Sequence, residues 1–205
     1  GGGSSANLND GDSAKGIKAE VNAAISGGVL SVDASDDGIK SNGQVAFTGG
    51  ETTISSAKNA VRSANTLDVT NGKLVVSKSK EGFEGLKVRI SGGQVSITAS
   101  DNGVNAVEKD LNKVVLATDA IISVSGGTVI VNSGLDSMDS NGNIKISGGT
   151  VVLNGPESGN RGDGALDSSG ELIFSGGTVF GVGSTGAVST PSSASSQGWI
   201  STSLP

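Results

Sequence analysis

The sequence predicts an all-β protein, a right-handed parallel β-helix of about seven or eight turns with three short strands in each turn. The first observation is a Ser/Thr-Gly-Gly turn that recurs with a period of about 22 residues. The second is an alternation of apolar and polar residues on both sides of each turn, which is typical of strands with one buried face. The third is an abundance of glycine and of β-branched residues, which disfavours helices. The turns begin at Ser26, Thr48, Thr70, Ser91, Ser125, Ser147 and Ser175.

Each repeat, numbered from the first residue of its turn, contains three inward-facing segments separated by corners. In the repeat that starts at Ser125, the residues at positions 5, 14 and 20 are Val129, Met138 and Ile144. A single repeat cannot bury these side chains alone, whereas a stack of repeats buries a continuous apolar column. The glycines allow positive φ values at the tight corners.

The ends of the chain depart from the repeat and suggest three regions. Residues 1–12 are rich in Gly, Ser and Asn and are expected to form a flexible tether. Residues 13–182 are expected to form the β-helix, and residues 183–205 an irregular C-terminal cap or tail. The start of the tether would suit the spacer after a lipid-anchored cysteine of a bacterial surface protein, and equally a cloning boundary. A short helix beginning near Asp110 is expected in the longest insertion.

Composition and charge narrow the classes of partner. The net charge of −6 disfavours nucleic acid, whose affinity for proteins comes from Lys and Arg on phosphates. No apolar stretch approaches the ~20 residues of a membrane-spanning helix. The chain contains no Cys and no His, which excludes the usual zinc and copper sites. Cations, or anionic partners bridged by cations, remain compatible with this composition.

The corner between the first and second segments carries the charged residues of interest. Equal positions of successive repeats lie one above the next in a β-helix, at roughly 4.8 Å. Carboxylates that close repel one another, and a bound hard cation would turn this repulsion into attraction. Calcium takes six to eight oxygen ligands of the kind that Asp, Glu, Asn and carbonyl groups supply. Position 15 is basic in the early repeats, at Lys18, Lys40 and Arg62, and acidic or amide in the later ones, at Glu84, Asn105, Asp139 and Asp167.

Neighbouring positions could add ligands to such a site. Asp37 lies at position 12, whereas Asp36, Asp101 and Asp163 each lie one residue earlier. For any single Asp-Gly or Asn-Gly pair the alternative is a tight, solvated turn without an ion. The basic residues also have two interpretations, because they could form a solvated edge or contact the carboxylates of an anionic sugar chain.

Four motifs, interleaved with the Gly-Gly turns, together resemble a known family. They are KGIKA at 15–19, SDDGI at 35–39, EGFEGL at 81–86 and LDSMDSNG at 135–142. The chain resembles a family of secreted bacterial carbohydrate-binding domains, typified by a clostridial protein that binds cellulose and polygalacturonate. The resemblance implies a pectate-lyase-like β-helix that carries calcium, although residues 58–61 have lost the acidic Gly motif. The calcium ligands implied by position are Glu81, Glu84, Asp136, Asp139 and Asp167.

We therefore expect a non-catalytic, extracellular, calcium-binding module that holds an acidic polysaccharide at the cell surface, with cellulose as a further candidate ligand. Aromatic residues are only 2% of the chain, so few side chains could stack on a flat neutral glucan. The alternatives are a structural adhesin or surface spacer, and a calcium-dependent polysaccharide lyase. A lyase of this shape would need an Arg or Lys base, and none of the three arginines is clearly placed beside the acidic residues. The protein is expected to be a monomer.

Overall fold

The fold is a parallel β-helix, as the repeat predicts. The computed structural model describes residues 14–56, 58–107, 119–157, 163–184 and 189–203. Its strands pair in parallel with strands one repeat away, and they form two sheets that run along the whole stack. The predicted tether at residues 1–12 and the expected helix near Asp110 lie outside the described residues. Among the described residues, no helix is long and apolar enough to cross a membrane.

The first sheet contains one short strand from each of seven successive coils. Its strands carry the residue at position 14, which points into the interior, and the residue at position 15, which points outward. Ile39, Val61 and Met138 at position 14 are completely buried. In spatial order the strands are β1 (Ile17–Ala19), β4 (Ile39–Ser41), β6 (Asn59–Ser63), β8 (Glu81–Gly85), β11 (Val104–Ala106), β13 (Met138–Ser140) and β15 (Leu166–Ser168).

The second sheet holds the other two segments of each coil, on both sides of the Gly-Gly corner. In most coils these two segments join into one long strand that bends at the corner. Each coil therefore has three inward-facing segments but contributes to only two sheets. The second glycine of the corner makes the bend, as at Gly127 with a φ of 80°, a value that suits glycine. The strands are β2 (Asn22–Ile25), β3 (Val29–Ala34), β5 (Gln44–Ser56), β7 (Thr66–Lys78), β9 (Lys87–Ile90), β10 (Gln94–Ala99), β12 (Ile121–Ser133), β14 (Asn143–Asn154) and β16 (Leu172–Val182).

The interior is one continuous apolar column that runs through all the coils. Phe47, Phe83, Ile144 and Leu153 are among its largest fully buried side chains. Each comes from an inward position of its repeat, which is why the alternation in the sequence predicts the core correctly.

The last coil is partly covered by the chain that follows it. The amides of Ser192 and Ser196 donate to the carbonyls of Leu172 and Phe174 on β16, at 2.7 and 3.0 Å. The Phe174 amide in turn donates to Oγ of Ser195 at 3.0 Å. These bonds satisfy backbone groups along part of an edge that would otherwise be open.

Candidate cation and ligand site

The residues at position 15 stand in one column on the outer face of the first sheet, which we call the position-15 column. Strand pairing places each member beside the next one, and the register has no break. The sequence numbering therefore predicted this arrangement correctly, and it brings early basic residues and later acidic ones onto one edge. The order is Lys18, Lys40, Arg62, Glu84, Asn105, Asp139 and Asp167.

The N-terminal end of the position-15 column, at Lys18 and Lys40, is basic and at least partly exposed. The Nζ atom of Lys18 lies 2.8 Å from Oε1 of Glu20, and both side chains are largely in solvent. The hydrogen bond and charge of Lys18 lower the pKa of Glu20. Lys40 is partly exposed beside Lys18. This pair is placed to meet an anion from solvent, whereas a surface ion pair such as that of Lys18 contributes little to stability.

Arg62 differs from the two lysines because it forms an ion pair with a buried carboxylate, that of Glu84. Its Nε donates to Oε1 of Glu84 at 2.9 Å, and the Glu84 side chain is only 2% exposed. The second oxygen, Oε2, accepts a hydrogen bond from Nδ2 of Asn59 at 2.8 Å. Asn59 Nδ2 also lies 3.3 Å from Oε2 of Glu81. Both oxygens of Glu84 are thus engaged by the protein, and the Arg62 guanidinium supplies the positive charge beside this buried carboxylate.

The negative charges of Asp36 and Asp37 are likewise balanced by cationic side chains. Oδ2 of Asp36 lies 2.5 Å from Nζ of Lys15, and Oδ1 lies 2.9 Å from Nζ of Lys58. The hydrogen bond and charge of Asp36 raise the pKa of Lys58. Asp37 is buried, 3.9 Å from Nζ of Lys15. Three of the predicted ligands, Asp36, Asp37 and Glu84, therefore already face lysine or arginine.

The later coils bring together a group that we call the acidic edge: Asn105, Asp136, Asp139, Asp163 and Asp167. Asp139 and Asp167 are direct partners in the strand register. Within the part of the chain that the structure describes, no lysine or arginine forms an ion pair with any of these four carboxylates. Asp101 is nearby, but it faces Nζ of Lys80 at 3.6 Å. The four carboxylates of the acidic edge are therefore balanced by no described lysine or arginine.

Burial and mutual repulsion make this edge unfavourable for carboxylates. Burial raises the pKa of Asp136 to about 7, and the charges of Asp139, Asp167 and Asp163 add to the rise, while a hydrogen bond from the Gly164 amide opposes it. Burial likewise raises the pKa of Asp139 to about 6, with further contributions from Asp167 and Asp163. A group whose charged form is disfavoured in this way gains most from a nearby cation.

Asn105 supplies a second, independent observation at the acidic edge. The residue is 9% exposed, and its Oδ1 atom is buried without a hydrogen-bond donor among the described residues. Its partners in the register are Glu84 and Asp139, whose ionised carboxylates can only accept hydrogen bonds. A buried acceptor without a partner is rare and unfavourable, and a cation would satisfy it.

The oxygen donors of the edge suit a hard cation, but they form only part of a coordination shell. Among the described residues, no three carboxylates lie close enough together to hold a metal ion by themselves. Calcium accepts amide, carbonyl and water oxygens as well as carboxylates, and it needs six to eight of them. The residues present therefore fit calcium as a partial shell that an incoming ligand or water would complete.

Sequence reasoning overlooked two features of this corner. Asn102 contacts both Asp136 and Asp139. The sequence signal for this role was an amide at position 12, where the repeats of Asp37 and Asp136 have a carboxylate. The glycine after it was expected to shape a tight turn, yet Gly103 does not have a positive φ. A Cβ atom there would lie 2.1 Å from Cγ1 of Val131, so this glycine permits close packing of the coils.

Comparison with known proteins places the chain in a family. A search of curated proteins and a search of solved structures each found no match. A family model described as carbohydrate-binding domain-containing protein matches residues 1–60 and 53–198, which together include every strand of the β-helix. The chain therefore belongs to this family of proteins with a carbohydrate-binding domain.

Proposed function

We propose that the chain is a non-catalytic, extracellular module that binds an acidic polysaccharide of the polygalacturonate type through calcium at the acidic edge. The observation that carries this proposal is the buried Oδ1 of Asn105, which lacks a donor among the described residues and lies beside Asp139. An uncompensated acceptor next to an unneutralised carboxylate favours a cation over a simple solvated corner.

In this proposal the cation is shared between the protein and the sugar chain. Asp139 and Asp167 are the principal carboxylates, and Asn105 adds an amide oxygen. The ion supplies positive charge and open coordination positions, which uronate carboxylates can occupy. An incomplete protein shell supports this mode, because a site that the protein filled completely would leave no position for a ligand.

The basic end of the column provides a second contact. Lys18 and Lys40 lie on the same face as the acidic edge and point outward. An extended polyanion lying along the column could meet these ammonium groups at one end and the cation at the other. Arg62 is left out of this contact because its guanidinium is engaged with Glu84.

The same geometry favours binding over catalysis. Among the described arginines, Arg62 pairs with Glu84 and Arg89 pairs with Asp68 on the second sheet. Neither is directed at the acidic edge, where a lyase would need its base. An extracellular setting agrees with the proposal, since extracellular modules bind calcium weakly, with dissociation constants of about 10⁻⁴–10⁻³ M. Anchoring as a lipoprotein is part of the same proposal and has no bearing on the binding test.

The test is a titration of polygalacturonate into the protein, followed by calorimetry, in calcium and again in excess chelator. We expect binding in calcium, loss of binding in chelator, and little binding of fully methyl-esterified polygalacturonate, which lacks the carboxylates. The double variant Asp139→Asn, Asp167→Asn should lose binding. The control Asp33→Asn removes one exposed carboxylate from the second sheet and should bind normally.

Three outcomes would overturn parts of the proposal. Binding that persists in chelator would contradict calcium bridging. Absence of binding to any polysaccharide would favour a structural adhesin or spacer. A rise in the ultraviolet absorbance of unsaturated uronates during incubation would instead identify a lyase.

A further inference from the structure

Asn102 connects the two coils that carry the acidic edge. Its Oδ1 accepts a hydrogen bond from the main-chain amide of Asp136 at 3.1 Å. Its Nδ2 donates to Oδ2 of Asp139 at 3.0 Å. One side chain in one coil therefore holds both the backbone and a carboxylate of the next coil.

These two bonds fix which way the amide points. The Asp136 amide can only donate, so the oxygen of Asn102 must face it. The NH₂ group is then directed at Oδ2 of Asp139, whereas no group of the described residues donates to Oδ1 of Asp139. We propose that Asn102 is a positioning residue for cation binding, which holds Asp139 so that its free oxygen faces outward from the edge. This inference rests on the calcium proposal above.

The next coil repeats half of this arrangement and shows why an amide is needed. Oδ1 of Asp136 accepts a hydrogen bond from the amide of Gly164 at 2.6 Å, just as Oδ1 of Asn102 accepts one from Asp136. Both residues therefore connect successive coils at position 12. Only the amide can also donate, and an aspartate at 102 would direct a second carboxylate at Asp139.

Residues that orient a metal ligand usually affect affinity strongly. Removing such an outer partner typically weakens metal binding by about 10- to 100-fold. Asn102→Ala should therefore weaken calcium binding by at least about tenfold. A matched control is Asn132→Ala, which removes an exposed amide on the second sheet whose Oδ1 accepts from Asn154 at 2.8 Å.

The experiment is a calcium titration of wild type and both variants by calorimetry, with circular dichroism to confirm the fold. In parallel, the side-chain NH₂ resonances of Asn102 are followed by NMR in the wild-type protein during the same titration. We expect these resonances to shift in proportion to calcium bound, which a role limited to joining coils would not produce. This second readout decides the question even if Asn102→Ala fails to fold.

The outcomes separate this inference from the proposed function. If wild type and Asn102→Ala bind calcium equally, or if the NH₂ resonances stay fixed while calcium binds, Asn102 has no positioning role and the proposed function is unaffected. If the wild-type protein does not bind calcium, the proposed function fails and this inference fails with it.

Discussion

Replacement of Arg62 by alanine tests whether this guanidinium replaces a metal ion in the first half of the stack. The change removes the ion pair of the Glu84 carboxylate, which is only 2% exposed, while Asn59 still donates to its Oε2. Removing one partner of a buried ion pair costs about 3–5 kcal/mol of unfolding free energy. Arg62 itself is 33% exposed, so water can partly replace it, and we expect a loss of about 2–3 kcal/mol.

The size of this loss can be checked by thermal unfolding in chelator. For a domain of this length each kcal/mol corresponds to a Tm shift of about 2–4 °C, which predicts a fall of roughly 4–12 °C. The control is Arg89→Ala, which breaks a pair of similar geometry, with Nε 2.7 Å from Oδ1 of Asp68. Those side chains are 51% and 29% exposed, so the control should cost less than about 1 kcal/mol.

Calcium should partly restore the stability of Arg62→Ala. An added cation would supply the positive charge beside the buried Glu84 carboxylate that the guanidinium no longer provides. The gain in Tm on adding calcium should therefore be larger for Arg62→Ala than for wild type. Equal losses for Arg62→Ala and Arg89→Ala would refute the reasoning, because burial of the partner would then have no effect.

Three further predictions concern the later coils. In chelator, burial holds the pKa of folded Asp136 at about 7, above the ordinary aspartate pKa of 3.8, so its stabilising contribution is complete at low pH and is lost as the pH rises through about 7. The Tm in chelator should accordingly be higher at pH 5.5 than at pH 8, and Asp136→Asn should reduce that difference. Gly103→Ala should cost about 1–3 kcal/mol through overlap with Val131, whereas Gly27→Ala, with open space around it, should change stability by less than about 0.5 kcal/mol. Calcium at a hundredfold excess over its dissociation constant should raise the unfolding free energy of wild type by roughly 3 kcal/mol, measured as a higher Tm, and an unchanged Tm would argue against an ion between the coils.

The register of the position-15 column could be predicted from residue numbers, because equal positions of successive repeats become neighbours in a β-helix. With coils of nearly constant length, residues one repeat apart must become neighbours, whatever their identity. Asp139 and Asp167 are 28 residues apart and still pair, since the extra residues fall outside the strands. The same counting identified the buried positions, including Met138 and Phe83.

Features that depend on side-chain direction could not be predicted in this way. The pairing of Arg62 with Glu84 requires the guanidinium to turn toward the next coil, and no pattern in the sequence specifies this. The Gly-Gly corners suggested breaks between strands, yet β12 runs through Gly127, whose positive φ makes the bend, and its pairing with β14 is irregular only around the corner. The role of Gly103 in close packing is likewise a property of neighbouring coils rather than of its own turn.

The most direct test of the central claim is a crystal structure of the protein grown in calcium, with anomalous scattering to identify the ion. We predict an ion at the acidic edge, with the oxygens of Asp139 and Asn105 at about 2.3–2.6 Å. An edge that contains only water at saturating calcium, with Oδ1 of Asn105 bonded to that water, would contradict the account.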